Sequence, residues 1–300
     1  RDLKIDIVAN RAYLENYAEN FRVDGSGDEL EYVSLTPNTF GNFNISTLLI
    51  KTAFQKSDET NSLAFDDFRS NRLTIANRLA KDFYGNDNFD RDLEGYPLGF
   101  GKNNQKVLLP SFLAAYQGKN ADKITTRAFR DVPIPNWDLK YTGFMKFAWF
   151  KKNFRRFSLT HGYRSVYTIN QFTTNLNLQE GEYPIPGVPY DSQPNGSKDQ
   201  SGNFKNEVLY SNVNLTEMFS PLVRIDFEMK NSVKILAEIK KDRLLSLSFD
   251  NNLVTEVKGN EYIIGLGYRI KDLRIRSKLA GPSKRIVSDL NMKADISVRE

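Results

Sequence analysis

The chain has 300 residues, of which 40% are hydrophobic, and this is enough for one large or two ordinary domains with an apolar core. Its 42 basic and 37 acidic residues give a net charge of only +5 and form no basic block, which disfavours nucleic acid as a partner. The absence of cysteine excludes disulfides, thiol catalysis and thiolate metal sites. No apolar run approaches the roughly eighteen residues of a transmembrane helix, whereas a transmembrane β-barrel needs only strands of about ten alternating residues.

The first 43 residues are predicted to form strands arranged as a hairpin. Residues 3–9 alternate between apolar and polar side chains, which is typical of a strand. The sequence DGSGD at 24–28 has the composition of a turn, and residues 29–35 are strand-like. Residues 13–23 are ambiguous, because their aromatic side chains fit the spacing of either a strand or a helix.

A helical and loop insertion is predicted for residues 44–136. Residues 48–54 and 63–83 have the pattern of helices, and the second carries an apolar stripe. Residues 85–105 are rich in glycine, asparagine and aspartate, which indicates a loop. Residues 110–117 are predicted as a short helix that begins at a proline.

Residues 137–178 return to strands, with dense aromatic side chains in their first half. Residues 179–203 contain prolines and glycines throughout and are predicted as a long loop without regular structure. Residues 204–300 are predicted as a meander of consecutive antiparallel hairpins, entered by a strand over 204–219.

Residues 222–299 alternate apolar and polar side chains almost without interruption. A period of two is the signature of strands with one dry face and one wet face. The polar side chains predicted to share one face are Arg224, Asp226, Glu228, Lys230, Lys234, Glu238 and Lys240. The apolar side chains predicted to share the opposite face are Val223, Ile225, Phe227, Met229, Ile235 and Ile239.

The register of the first hairpin of the meander follows from its charges. A three-residue loop at 230–232 places Glu228 opposite Lys234 and Arg224 opposite Glu238. A shift by two residues would place like charges directly opposite each other, which is destabilising. The dipeptide at 259–260, Gly-Asn, is predicted to form the two-residue turn of a later hairpin.

The chain offers little catalytic chemistry. His161 is the only histidine, so a triad, a metal cage or a proton relay built on two histidines is excluded, and a structural role in a strand is expected. Residues 90–95 resemble the first half of a calcium loop, but Gly101 stands where the bidentate glutamate is needed. We therefore expect no enzyme activity, no catalytic residue, no cofactor and no metal site.

Two readings of the alternating strands stay open at this point. The apolar row could face lipid in a membrane barrel, or it could form the core of a soluble antiparallel sheet. Aromatic and basic side chains mix around Trp149, and this mixture fits polysaccharide or nucleic-acid binding as well as the aromatic girdle of a membrane protein.

Several long stretches resemble the C-terminal region of the SprA/Sov family, the gliding-motility and secretion proteins of Bacteroidetes. The stretches are FSPLVRIDFEMK (219–230), DRLLSLSF (242–249), EYIIGLGYRIKD (261–272), LTHGYRSVY (159–167) and PIPNWD (133–138). The resemblance runs over nearly the whole chain. Because chains of that family are several times longer, the resemblance implies that this chain is an internal piece of a larger protein.

The resemblance implies a segment of a very large transmembrane antiparallel β-barrel in the outer membrane, with the helical insertion as a plug, cap or periplasmic shelf. It implies a non-enzymatic translocon of the type nine secretion system, which exports folded proteins to the cell surface. The implied partners are a PorV-like outer-membrane barrel, a periplasmic plug protein, secreted cargo proteins, and membrane lipid or lipopolysaccharide. On this basis the polar set of the meander is predicted to face the pore, and the apolar set to face lipid.

The alternative is a soluble or surface-exposed β-rich module that binds carbohydrate or another ligand. Its binding surface would use Trp137, Trp149 and neighbouring tyrosines.

Overall fold

A computed structural model describes residues 2–27, 29–58, 61–276 and 285–300. The described chain is mainly β and centres on a ten-stranded antiparallel sheet, which confirms the predicted fold class at this level. The strands of this sheet are β1 (Leu3–Val8), β2 (Arg11–Ala18), β5 (Asn38–Ser46), β6 (Asn136–Tyr141), β7 (Phe154–Thr174), β8 (Val208–Tyr210), β9 (Asn212–Met229), β10 (Val233–Ser248), β11 (Leu253–Arg276) and β12 (Arg285–Arg299). The other strands are the pair β3 (Phe21–Ser26) and β4 (Glu29–Ser34), and the α-helices are α1 (Leu63–Tyr84), α2 (Gln105–Gln117) and α3 (Ala148–Asn153). Short 3-10 helices lie at Gly143–Lys146, Tyr190–Ser192 and Asn195–Ser197, and the last two fall within the loop predicted at 179–203.

Seven strands follow one another across the sheet in the order β1, β6, β7, β9, β10, β11 and β12. β5 also pairs with β7, β2 pairs with β5, and β8 adds a short pair with β7. Among the described residues, neither β1 nor β12 pairs with a second strand on its outer side. The described sheet is therefore open at these two edges.

The N-terminal hairpin is longer than one pair of strands. β2 pairs with β5, placing Tyr13 opposite Phe43, and β3 and β4 pair beyond them toward a tip at Gly27. Residues 13–23, ambiguous from sequence, are extended over most of their length, because pairing with a second strand decides between the two patterns. Gly27 has a φ of 67°, which glycine adopts without steric cost, whereas Asp28 of the predicted turn lies outside the described residues.

The insertion begins and ends at nearly the same place in the sheet, between β5 and β6, which lie end to end beside β7. β5 and β6 both run antiparallel to β7, and Ser46 at the end of β5 lies opposite Val166 while Trp137 in β6 lies opposite Tyr163. The N–H of Ile134 donates to the carbonyl of Ser46 at 3.0 Å, which closes the base of the insertion. Residues 47–135 are therefore looped out from a nearly continuous strand.

The long predicted helix of the insertion is confirmed. α1 begins after Ser62, whose hydroxyl accepts from the N–H of Phe65 at 3.3 Å, and it ends at Gly85 in the left-handed conformation.

The other two helix predictions in the insertion need correction. α2 begins at Gln105 rather than at Pro110, because the side chain of Asn104 accepts from the N–H of Lys106 and caps the helix earlier. Residues 48–54 form turns rather than a helix, since the N–H groups of Thr52 and Ala53 donate to carbonyls three residues back, at Leu49 and Ile50, rather than four.

The predicted turn at 259–260 is wrong. Gly259 lies inside β11 opposite Asp242, and the turn between β10 and β11 falls at residues 249–252, where Asn252 has a φ of 53°. A Cβ on Gly259 would lie 2.9 Å from Asp242 Oδ1, so close approach rather than a turn explains the glycine. The alternating residues from 233 to 248 form one long strand, β10.

The predicted register of the β9–β10 hairpin is confirmed. Glu228 lies opposite Lys234 and Arg224 lies opposite Glu238. The register shifts once, between Ile239 and Lys241, where β9 carries extra residues that include the buried Pro221. Such a bulge bends a strand and increases its twist.

The hydrophobic core lies between the insertion and one end of the sheet. The sheet contributes inward side chains from β5, β7, β9 and β10, and the insertion packs both long helices against them. The main members are Phe43, Tyr167, Ile169, Val213, Leu215, Leu245 and Leu247 from the sheet and Phe68, Ile75, Leu108, Phe112 and Leu113 from the helices. Within the described residues, no helix combines the length and the apolar character needed to cross a membrane.

Candidate functional site: a sheet with an apolar face and a charged face

β9 and β10 separate the two predicted sets of side chains onto opposite faces of the sheet. Successive side chains of a strand alternate between faces, and residues directly opposite each other share a face. Phe227 lies opposite Ile235, and Glu228 lies opposite Lys234. Val223 and Ile239 are exposed, whereas Ile225, Phe227, Met229 and Ile235 are half-buried.

The apolar face extends across all seven consecutive strands. One cross-strand row consists of Leu3, Tyr141, Leu159, Ile225, Ala237, Ile264 and Ile296, each directly opposite the next. The next row consists of Phe157, Phe227, Ile235, Leu266 and Ala294. Ile264 and Ile296 are 65% and 72% exposed, so nothing in the described chain covers this part of the face.

The insertion packs on the same face of the sheet as the exposed apolar rows. In β10, Ile239 is followed at alternate positions by Lys241, Arg243 and Leu245, so all four side chains share one side of the strand. Lys241 lies over the ring of Phe54 at 4.6 Å, and Leu245 belongs to the core shared with the helices. The apolar face is therefore bordered by the insertion at one end and open at the other.

A network of ion pairs covers the charged face. Arg156 pairs with Asp226 and Arg155 with Glu228, each at 3.0 Å. Arg224 lies 3.6 Å from Glu238. Further pairs join Lys234 to Glu228, Lys240 to Glu238, and Lys240 to Glu261. Positive and negative side chains alternate across this face, so neither sign of charge dominates it.

Lys230 is the one member of the predicted polar set outside a strand. β9 ends at Met229, and the N–H of Lys230 donates to the carbonyl of Asn153 at 3.2 Å. Its side chain makes no ion pair among the described residues.

Arg155, Arg156 and Glu261 were missed as members of the charged face. Arg155 and Arg156 join it through the pairing of β7 with β9, which shifts register between Phe154 and Arg156. Glu261 joins because Gly259 does not turn the chain, and it therefore lies opposite Lys240. These positions depend on contacts distant in sequence, so periodicity offered no signal for them.

A buried ion pair links the sheet to the insertion. Glu217 in β9 and Arg243 in β10 lie 3.0 Å apart, with side chains only 2% and 3% exposed. The Tyr163 hydroxyl donates to Glu217 at 2.8 Å, and Arg243 donates to the carbonyl of Thr52 at 3.0 Å. A buried pair with these additional hydrogen bonds holds the turn at 48–54 against the sheet.

The two tryptophans of the alternative binding surface differ in exposure. Trp137 stacks on Tyr163 with ring centroids 4.6 Å apart and is half-buried, so it is a packing residue. Trp149 is 62% exposed and contacts Phe150 and Phe154 at one end of the sheet. His161 Nδ1 lies 2.7 Å from the carbonyl of Leu222, which gives the histidine a structural contact in β7.

The residues of the partial calcium motif form a turn. Asp92 accepts from the N–H groups of Glu94 and Tyr96 at 2.9 and 2.8 Å, so it stabilises a turn. No group of three or more potential metal ligands occurs in the described part of the chain.

No protein-family model matches this chain, and a search of curated proteins finds no match either.

Proposed function

We propose that this chain forms part of the wall of an outer-membrane translocon of the SprA/Sov type, which passes folded proteins to the cell surface in type nine secretion. The proposal makes the sheet a segment of a very large barrel, with its apolar face toward lipid and its charged face toward the conduit. It assigns no catalytic residue and no cofactor to the chain.

The observation that carries this proposal is the exposed apolar face. Contiguous apolar patches larger than a few hundred Å² are rare on monomeric soluble proteins and mark contact with a membrane or a partner. Here the exposed side chains include Leu3, Ile5, Ile7, Val223, Ile239, Tyr262, Ile264, Leu266, Tyr268, Leu290, Met292, Ile296 and Val298. On β11 and β12 these rows cover residues 262–270 and 290–298. The length of each row is close to that of a tilted strand that spans a bilayer, which needs about 9–11 residues.

The charged face supports a conduit for proteins. Its carboxylates and cations neutralise one another in pairs, such as Arg156 with Asp226 at 3.0 Å. A wall with both signs of charge binds neither acidic nor basic cargo strongly, whereas a selective ion pore concentrates one sign.

The open edges fit a wall segment. In a membrane, an unpaired strand edge would expose N–H and carbonyl groups to hydrocarbon, which costs several kcal/mol for each group in order-of-magnitude terms. The proposal therefore requires further strands beside β1 and β12. It also places the insertion outside the conduit, as a shelf at one membrane surface, because the insertion packs on the apolar side of the sheet.

A crosslinking experiment in cells tests the conduit. A photoreactive amino acid at Lys234 on the charged face is expected to form adducts with secreted proteins in a full-length protein that supports secretion. The matched position is Leu266, which is 56% exposed on the apolar face and is expected to form none. Absence of cargo adducts at Lys234 while secretion continues would contradict the conduit, and polysaccharide binding through Trp149 would favour the alternative module.

A further inference from the structure

A cavity of about 420 Å³ lies where the insertion leaves the sheet. Its floor is largely apolar and comes from β5, β7 and the segment that returns to β6. Its polar side chains come mainly from the end of α2 and from residues 119–131. The residues around it include Ile45, Tyr167, Gln117, Lys119, Arg127 and Arg130.

The cavity has an excess of positive charge. Lys119, Arg127 and Arg130 line it, and Asp131 is the acidic residue among the lining side chains. Asp131 is already engaged, because Arg127 lies 3.4 Å and Arg11 3.9 Å from its carboxylate. Lys119 and Arg130 have no carboxylate partner among the described residues.

Arg130 lines the cavity, and two of its three guanidinium nitrogens have no hydrogen-bond acceptor in the described chain. Its Nε and Nη2 are shielded from solvent and receive no hydrogen-bond partner from the described chain. Its backbone carbonyl accepts from Arg11 Nε at 2.8 Å, which anchors the residue to β2. Burial lowers the pKa of the Arg130 guanidinium, and a shielded charge without a partner is costly.

The ammonium of Lys119 lies near the guanidinium of Arg130 in the same cavity. Gln117, which also lines the cavity, donates from Nε2 to the Thr47 hydroxyl at 2.9 Å. Desolvation lowers the pKa of the Lys119 ammonium, and the nearby charges of Arg130 and Lys51 lower it further. The cavity thus contains cations that repel each other and that an anion would neutralise.

We propose that this cavity binds a phosphate group, with Arg130 and Lys119 as its principal ligands. Arginine and lysine pair with phosphate oxygens through charge-assisted hydrogen bonds, which are about twice as strong as neutral ones. The phosphate would lie beside Ser46 and Ile134, the two residues that close the base of the insertion. This site does not depend on the proposed secretion function.

Calorimetric titration of the full chain with inorganic phosphate, in neutral detergent and at low salt, tests the site. The variant Arg130→Gln is expected to weaken phosphate binding at least tenfold. The control is Arg69→Gln, the same substitution on the exposed surface of α1 outside the cavity, which is expected to leave binding unchanged. Arg130→Lys and Lys119→Gln keep the test decisive should Arg130→Gln fail to fold, with partial retention expected for the first and a loss for the second.

A second titration distinguishes the source of the phosphate. Micelles doped with phosphatidylglycerol are compared with micelles doped with phosphatidylcholine at equal lipid content. Binding of free phosphate that depends on Arg130 supports a soluble phosphate ligand, and binding of phosphatidylglycerol alone with the same dependence supports a lipid headgroup. Equal binding by the wild type, Arg130→Gln and Arg69→Gln, or no binding of either probe by the wild type, would overturn the proposal.

Discussion

The buried ion pair of Glu217 and Arg243 attaches the insertion to the sheet. Both side chains are almost fully shielded, and their remaining hydrogen bonds go to Tyr163 and Thr52. Because Thr52 belongs to the insertion, Arg243 fixes the insertion to β10 at a defined position.

Loss of one partner of this pair should destabilise the protein strongly. Arg243→Ala leaves the Glu217 carboxylate buried without its cation, and the free energy of unfolding is expected to fall by about 3–5 kcal/mol. Chemical denaturation of the purified protein in one detergent measures this loss. Arg269→Ala serves as the control, because Arg269 and its partner Asp289 are partly exposed and exposed pairs contribute little. If both variants lose the same free energy of unfolding, the buried pair does not hold the insertion to the sheet.

At the scale of elements, the hairpin of β9 and β10 sets the two faces of the sheet. A slip of one residue would move every apolar side chain to the charged face. The observed register pairs Arg224 with Glu238, and it shifts at 220–222, where the insertion ends and the exposed apolar rows begin. The hairpin therefore connects the covered half of the sheet with the uncovered half.

Double cysteine variants test this register directly, because the natural chain has no cysteine. Cysteines at positions 224 and 238 are expected to form a disulfide, since directly opposed residues of antiparallel strands have Cα atoms about 4.5–5.5 Å apart. Cysteines at 226 and 238 are expected to stay reduced under the same oxidation. Mass spectrometry after mild oxidation reports both, and efficient crosslinking of 224 with 240 instead would indicate a register shifted by two residues.

The register and the two faces were predictable because they depend on neighbours in sequence. Alternation from Val223 to Met229 separates apolar from polar side chains, and the charges of Arg224 and Glu238 select one alignment. The helix α1 was predictable for the same reason, since its stripe and its cap at Ser62 are local signals.

The remaining features depend on contacts between distant residues. The looped-out insertion follows from the pairing of both β5 and β6 with β7, which no local pattern indicates. Gly259 resembled a turn glycine, but its role is to leave room for Asp242 on the neighbouring strand. Arg156 and the cavity at Arg130 likewise became visible only once strands and insertion were placed together.

At the scale of the whole molecule, the sheet has three surfaces that differ in cover and in charge. One end is covered by the helices of the insertion, the opposite face carries paired charges, and the rest of the apolar face is uncovered. A soluble module would be expected to cover or break up such an apolar face, whereas the wall of a membrane barrel needs it.

The most direct test of the proposed barrel wall measures whether water or lipid contacts each face of the sheet in the native membrane. Single cysteines are placed at 224, 226, 228 and 234 on the charged face and at 223, 225, 264 and 266 on the apolar face of the full-length protein. We expect a water-borne maleimide to label the first set, and a lipid-borne probe to label the second set while the water-borne maleimide leaves it unreacted. If the apolar positions ignore the lipid-borne probe as well, that face contacts protein, and the barrel wall proposed here is contradicted.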